Sequence, residues 1–292
     1  MEDAPQMNLK NVKRVVVKLL KRVRKVSSGN TAAEKKKTYS LAEFKADQAR
    51  FEDWRARNPS KPGKEFYSEW KKAQFATGAP QGTFGANLRS GPFEKAGVDL
   101  FNDLVGFGLK PSDTCVDYGC GTLRVGQHVI RYLGRGGYWG LDIADWLLEE
   151  GRKLIGPELM AEKEPQLRVI SRDSVAEVAA RKPDMLFSVK VMQHVHPSEL
   201  AEYFENIMSI IGLSGKAIIG SKWRDDKTVQ YRVNGWAHSI RTISDLVASM
   251  NGKMDTLDQG DTLLPLEGSG YAKKGFLCIM HKAAPHASGF SS

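Results

Sequence analysis

Ten consecutive residues, Cys115-Val116-Asp117-Tyr118-Gly119-Cys120-Gly121-Thr122-Leu123-Arg124, carry the densest chemical signal in the chain. An apolar strand runs into a glycine-rich turn, and a helix follows. Glycine lets the backbone turn sharply and lets a ligand approach the main chain closely. Dinucleotide-binding enzymes hold a pyrophosphate on such a turn. Asp117, two residues before the first glycine, would sit poorly beside phosphate and suits a ligand with an ammonium group instead. A second acid, Asp142, ends the second strand within the run Trp139-Gly140-Leu141-Asp142-Ile143, 21 residues after Gly121. A carboxylate at the end of a second strand can accept hydrogen bonds from both hydroxyls of a ribose.

The Asp-x-Gly-x-Gly turn and the later Asp142 together resemble motifs I and II of the class I S-adenosylmethionine-dependent methyltransferases. The resemblance extends through all the strands that follow. It implies S-adenosylmethionine as cofactor and S-adenosylhomocysteine as product, held by Asp117, Gly119, Cys120, Gly121, Thr122, Asp142 and Ile143. The family's usual third glycine is Leu123 here, followed by Arg124. A Gly-Cys-Gly-Thr-Leu-Arg turn looks like a subset of bacterial small-molecule and glycan methyltransferases. In that setting Arg124 either faces the methionine carboxylate or lies on the surface of the first helical turn. Asp173 and Ser174 follow the third strand, where the family contacts adenine, and Asp173 either accepts from the exocyclic amine or caps a helix. The segment from Phe187 to His196 matches motif IV, which implies that Ser188 and Lys190 border the transferred methyl group. Arg89, in the glycine-rich stretch ahead of the first strand, is a further candidate for the methionine carboxylate. No metal site is expected.

Methyl transfer aligns nucleophile, methyl and sulfur and excludes water. A hydroxyl acceptor gains from a general base that titrates near neutrality. His194, His196 and His238 are the candidates, and His196, ahead of Pro197, alternatively closes a turn. Between Lys222 and His238 runs a stretch expected to cover the acceptor pocket. Trp223, Tyr231 and Trp236 would stack on a sugar ring or apolar chain there, and Arg224 and Arg232 would hold phosphate or carboxylate. The bland alternative is a packed surface loop with aromatic anchors. No Asn/Asp-Pro-Pro-Tyr/Phe sequence follows the fourth strand, which disfavours base or amide nitrogen as acceptor.

These residues need a scaffold. From Thr114 on, strands at 114–118, 138–143, 167–170, 184–189, 216–221, 254–259 and 276–281 alternate with helices at about 124–133, 144–155, 174–180, 198–211 and 239–250. Such alternation predicts an α/β fold: a Rossmann-like, seven-stranded, mostly parallel sheet with helices on both faces. The last two strands lack a helix between them and should pair antiparallel. Ahead of the core, helices at 41–56, 65–75 and 97–107 form an N-terminal cover, the first capped by Ser40 with Glu43. The expected organisation is a basic tail and linker at 1–39, a helical cover and glycine-rich loop at 40–108, the core at 109–282 and a loose tail at 283–292.

The net charge of +9 is not spread evenly. Residues 1–37 hold eleven Lys/Arg against Glu2, Asp3 and Glu34, which accounts for eight of those charges and leaves the body nearly neutral. Body-wide nucleic-acid binding therefore has little support. On a helix, the apolar residues of 8–26 gather in one arc with Lys and Arg opposite and Val17 out of place, the pattern of a segment on an anionic membrane surface. The tail alternatively packs on its own body or on a partner, or stays disordered, or binds RNA. No run reaches the roughly 18 apolar residues of a membrane span, and no signal peptide is visible. Three cysteines without metal or disulfide spacing fit a reducing cytoplasm. The expectation is a cytoplasmic enzyme, peripheral at the inner membrane face, that O-methylates a sugar, glycan or other small hydroxyl acceptor, either free or lipid-linked. The competing readings are a protein or RNA methyltransferase docking through its tail, and a non-catalytic cofactor-binding module. The acceptor's identity and the oligomeric state are not legible.

Overall fold

The computed structural model describes residues 41–76, 91–257, 263–266 and 270–282. The basic segment 8–26, the linker, the Ser40 cap, Arg89 and the tail 283–292 lie outside them. Three helices come first, α1 (Leu41–Arg57), α2 (Gly63–Ala76) and α3 (Gly91–Gly106). The core then alternates β1 (Cys115–Tyr118), α4 (Gly126–Tyr132), β2 (Tyr138–Asp142), α5 (Asp145–Lys163), β3 (Gln166–Val169), α6 (Arg172–Ala179), β4 (Met185–Val189) and α7 (Leu200–Ile211). It ends with β5 (Lys216–Arg224), β6 (Val229–Arg232), β7 (Gly235–Ser239), α8 (Ile240–Ser249), β8 (Gly252–Thr256), β9 (Leu263–Leu266) and β10 (Gly270–His281).

The main sheet runs in the order β3-β2-β1-β4-β5-β10-β8. Its strands pair in parallel from β3 to β5, and β10 is antiparallel to both β5 and β8. The expected antiparallel ending is thus present: among the described residues no helix between β8 and β10 supplies the crossover that a parallel strand would need. Alternation divides the core. Val116, Leu186, Ile219 and Leu277 point to one face, under α6, α7 and α8, while Cys115, Met185, Phe187 and Ile218 point to the other, under α3, α4 and α5. All three cysteines are free and buried. Among the described residues no helix is long and apolar enough to cross a membrane.

Several elements differ from the sequence expectation: α3 starts at Gly91 and β10 at Gly270 rather than near 97 and 276, β9 is an additional strand, and two further differences lie in the core. The helix after β2 does not stop at Ile155. Gly156, at φ 80°, breaks it, and beyond this kink Pro157 starts a second helical stretch that runs to Lys163, as proline suits a first helical turn. The stretch after β5 is not a loop: β5 runs on to Arg224, and β6 and β7 form an antiparallel hairpin, with β7 parallel to the end of β5. The Asn234-Gly235 pair between alternating residues is the signal for it. This hairpin receives the cover: Val233 packs with Trp54 of α1 and Phe66 of α2. The indole Nε1 of Trp54 donates to Glu69 at 2.8 Å.

Candidate functional site

The C-terminal ends of β1, β2 and β4 open on a cavity of about 350 Å³, where open parallel sheets bind ligands. One end is main chain. Gly119, at φ 86°, donates its N–H to the Leu141 carbonyl at 2.7 Å. A Cβ there would come within 2.3 Å of Val191 Cγ2. Gly121, at φ 54°, has nothing within 4 Å of the Cβ position and so leaves the turn open to a ligand. Leu123 keeps the left-handed conformation of a glycine, φ 61°, although it bears a side chain. That side chain is fully buried, lying over Gly151 and beside Gly126. Burial of a leucine outweighs the roughly 1–2 kcal/mol cost of the left-handed backbone.

Asp142 meets this turn from β2. Its Oδ2 accepts from Gly121 N at 2.9 Å and its Oδ1 from Ala144 N at 3.0 Å. Burial raises its pKa to about 6 against these backbone bonds. Both oxygens keep a lone pair while the carboxylate is held in one orientation.

The other end is built from side chains. His194, in the 3₁₀ turn Met192–His194, lies with its Nδ1 2.7 Å from the Asn234 carbonyl. A carbonyl only accepts, so Nδ1 carries the proton and Nε2 keeps its lone pair. Gln193 Nε2 donates to that lone pair at 3.1 Å. The His194 pKa falls to about 4, chiefly through burial, with Lys71, Arg232 and Lys222 adding to the shift. Tyr67 of α2 packs on the imidazole with ring centroids 4.9 Å apart. Burial first and the Asp142 charge second hold its hydroxyl protonated far above neutrality. Lys64, one turn earlier, ion-pairs with Glu202 of α7 at 2.9 Å, tying the cover to the core at the cavity.

No protein-family model matches the sequence, and no curated protein does. Solved structures do. The magnesium protoporphyrin IX methyltransferase of Synechocystis PCC 6803, with S-adenosylmethionine bound, aligns with a TM-score of 0.53 at 12% identity, over 76% of this chain and 98% of its own. A S-adenosylmethionine-dependent methyltransferase of Anabaena variabilis ATCC 29413 aligns with a TM-score of 0.53 at 16% identity, over the same shares, 76% and 98%. The fold is that of the class I methyltransferases.

Within this methyltransferase fold, Gly119, Cys120, Gly121, Thr122, Arg124, Asp142 and Ile143 line the cavity together, as do Lys190 and His194. Lys190 adopts φ 63° at the end of β4, and its N–H donates to Gly220 O at 2.7 Å. Other expected residues lie elsewhere. Asp117 is buried under the turn, where its Oδ2 accepts from the Tyr138 hydroxyl at 2.9 Å. Burial raises its pKa to about 8. Its carboxyl therefore does not line the cavity as an ammonium site would need. Ser188 is fully buried and donates to the Tyr118 carbonyl at 2.7 Å. Asp173 is exposed and is not the cap of α6. Ser171 caps it, accepting from Ser174 N at 3.1 Å, while Ser174 Oγ accepts from Ser171 N at 2.9 Å. Ile170, just before them, reaches the cavity instead.

Two histidines are committed elsewhere. His196 closes its turn, Nδ1 accepting from Ser198 N at 3.2 Å. His238 is fully buried on β7, its Nε2 3.1 Å from the carbonyls of Met192 and Val195, so it braces the 3₁₀ turn that carries His194. The expected aromatic platform is also absent. Trp223 and Trp236 are buried, the first in the main core and the second edge-on to His196 at 5.3 Å. Arg224 is clasped by Asp226 through Nε at 2.8 Å and a second nitrogen at 3.1 Å. Tyr231 and Arg232 lie outside the cavity lining, although the Tyr231 hydroxyl donates to Gln193 Oε1 at 3.4 Å. The stretch expected as a loop is a strand pair, and strand alternation fixes which of these side chains turn inward.

The sequence expectation missed Lys64, Tyr67, Glu199, Glu202, Tyr203 and Asn206, all on the cavity wall. Residues 199, 202, 203 and 206 follow the spacing of one helix face. That spacing was a signal for α7 facing the site, while nothing local marks Tyr67.

Proposed function

We propose that this chain is a S-adenosylmethionine-dependent methyltransferase acting on a hydroxyl of a small-molecule acceptor. One arrangement carries the reading: the open Gly119–Gly121 turn, the oriented Asp142 carboxylate and His194, whose Nε2 lone pair is met by Gln193, share a single cavity. The cavity fits the cofactor on local grounds. Gly121 offers a cradle that a side chain would fill. Asp142 presents two fixed acceptors for the ribose hydroxyls, and Ile143, Leu147 and Ile170 give an apolar wall for the adenine. Arg124, which lines the same wall, is the candidate partner for the methionine carboxylate. When bound, the cofactor would supply an electrophilic methyl group on a positively charged sulfur.

The protein's own residues would do the rest. His194 Nε2 takes the proton of the acceptor hydroxyl, displacing the Gln193 contact, while the Asn234 carbonyl steadies the imidazolium that forms. Tyr67, with its hydroxyl protonated, covers His194 and keeps water from the acceptor end. The acidic and amide side chains Glu199, Glu202 and Asn206 favour a polyhydroxyl acceptor such as a sugar or glycan. The Gly-Cys-Gly-Thr-Leu-Arg turn and the lack of an amide-methylation motif point the same way. The basic segment 8–26 would bring the enzyme to an anionic membrane, where such an acceptor can be lipid-linked.

The test is calorimetric titration of S-adenosylhomocysteine into the full chain, with NAD as control. Micromolar binding of the first and none of the second is expected. Binding of NAD, or of neither, would overturn the cofactor assignment.

A further inference from the structure

The 3₁₀ turn that carries His194, Met192–His194, is three residues long. A turn of that kind has poor hydrogen-bond geometry of its own, so its position depends on what holds it from outside. Two contacts hold it, and both come from the β6–β7 hairpin. The first reaches the ring: the Asn234 carbonyl, in the turn of the hairpin, accepts from His194 Nδ1 at 2.7 Å. The second reaches the backbone. His238, on β7, has its Nε2 3.1 Å from the Met192 carbonyl and 3.1 Å from the Val195 carbonyl, one at each end of the turn. Both partners are carbonyls, so Nε2 carries the proton and shares it between them.

His238 is fully buried, and its Nδ1 has no hydrogen-bond partner among the described residues. A buried ring nitrogen left unpaired costs stability, and an apolar side chain would avoid that cost. What the histidine adds is the donor. Burial lowers its pKa to about 4, so the ring stays neutral and its single proton stays on Nε2. The hairpin is itself fixed from the other side. Val233 packs with Trp54 and Phe66 of the cover, and Gln230 Nε2 donates to the Val233 carbonyl at 3.0 Å and to Gln48 of α1 at 3.3 Å.

We infer that His238 is a positioning residue: its Nε2–H holds the turn so that His194 meets the Asn234 carbonyl in one tautomer, with its own Nε2 left as the accepting nitrogen. This deepens the methyltransferase reading and rests on it only for the role of His194 as base. His238 is not part of the cavity lining, so it acts through the turn alone. Without the donor, the carbonyls of Met192 and Val195 would each lose a partner, and the turn would shift to satisfy them elsewhere. The bond from His194 to Asn234 would not survive that shift intact, because a hydrogen bond weakens steeply as its angle opens. His194 would then leave its single tautomer. Water would reach the ring and lift its pKa towards the usual histidine range, since burial is the main cause of its low value.

The experiment is imidazole nitrogen NMR on the full chain near neutral pH, without cofactor or acceptor. In the wild type both rings should be neutral and of opposite tautomer, Nδ1–H for His194 and Nε2–H for His238. His238→Phe keeps a flat ring and removes the donor, while His238→Gln keeps an N–H donor. In the phenylalanine variant His194 should lose its Nδ1–H signature and titrate above its value of about 4. Its backbone amide should exchange roughly tenfold faster as the turn opens. In the glutamine variant all three readings should return to those of the wild type. A role confined to packing would lower Tm and leave the His194 tautomer in place, so an unchanged tautomer in folded His238→Phe overturns the proposal. Equal loss in the glutamine variant, or a wild-type His194 protonated on Nε2, overturns it as well. Should the phenylalanine variant not fold, His238→Asn, whose shorter amide cannot reach both carbonyls, takes its place with the same outcomes. The spectra need no ligand. A wild type that binds no S-adenosylhomocysteine would therefore overturn the methyltransferase reading and leave the positioning of His194 to be decided by the spectra alone.

Discussion

The two ends of the cavity are built in different ways. At the cofactor end the groups come from two short runs, residues 119–124 and 142–143, and much of the work is done by backbone N–H groups and by the absence of side chains. At the acceptor end Tyr67, His194 and Glu202 come from a cover helix, a 3₁₀ turn and a core helix, and side chains do the work. The first end is set by local sequence and by the geometry of a parallel sheet. The second exists only once distant segments have docked, so it can change its acceptor without disturbing the cofactor end.

That division can be broken most severely at Gly119. Replacing it with alanine combines a left-handed backbone with a clash against Val191, and should cost about 3–4 kcal/mol of stability, read by urea unfolding. A loss below 1 kcal/mol would mean the turn has room to relax. At the acceptor end, His194→Gln should lower kcat about a hundredfold, near 2.7 kcal/mol, while leaving S-adenosylhomocysteine affinity within twofold. If affinity falls instead, the two ends are not separate. Asp142→Ala gives the mirror result: affinity for S-adenosylhomocysteine weaker by about 1.5–3 kcal/mol by calorimetry, as for hydrogen bonds to a charged group, in a protein that still folds.

The pH dependence sharpens the same contrast. On the proposed reading Asp142 would bind the cofactor as a carboxylate, and its pKa lies near 6, so S-adenosylhomocysteine affinity should drop towards tenfold per pH unit below 6 and be flat above it. His194, with a pKa near 4, stays neutral over that range and adds no fall in rate of its own. The raised pKa values of Asp117 and Asp142, about 8 and 6, also bear on stability. The folded protein holds protons that the unfolded chain has released, so their contribution is full below pH 4 and is lost as pH rises through 6 and then 8. Asp117→Asn keeps an acceptor for Tyr138 and should raise Tm above that of the wild type at pH 9 but not at pH 4. An equal Tm at both would show Asp117 ionised in the fold. The smallest effect is expected for Leu123→Gly. Relief of backbone strain offsets part of the lost burial, leaving a net loss of about 1–2 kcal/mol by chemical denaturation.

The strand-to-turn motif, the acid after the second strand, the order of the core elements and the antiparallel last strand were all readable in the sequence. Each depends on periods and glycine positions within one or two elements. The helix expected at 144–155 ends at the Gly156-Pro157 break, and the structure adds a second helical stretch from there to Lys163. The β6–β7 hairpin was marked by Asn234-Gly235, but its aromatic residues read as a binding surface until strand pairing turned Trp223 and Trp236 inward.

The sequence by itself therefore determined the scaffold and the turn that a cofactor would meet, because glycine conformations and strand alternation are local consequences of residue type. Only the tertiary structure decided which histidine faces the cavity and that Tyr67 covers it. The hydrogen bond from His194 to Asn234 spans 40 residues, and no pattern in the chain specifies a contact made by the docking of a cover helix on a hairpin.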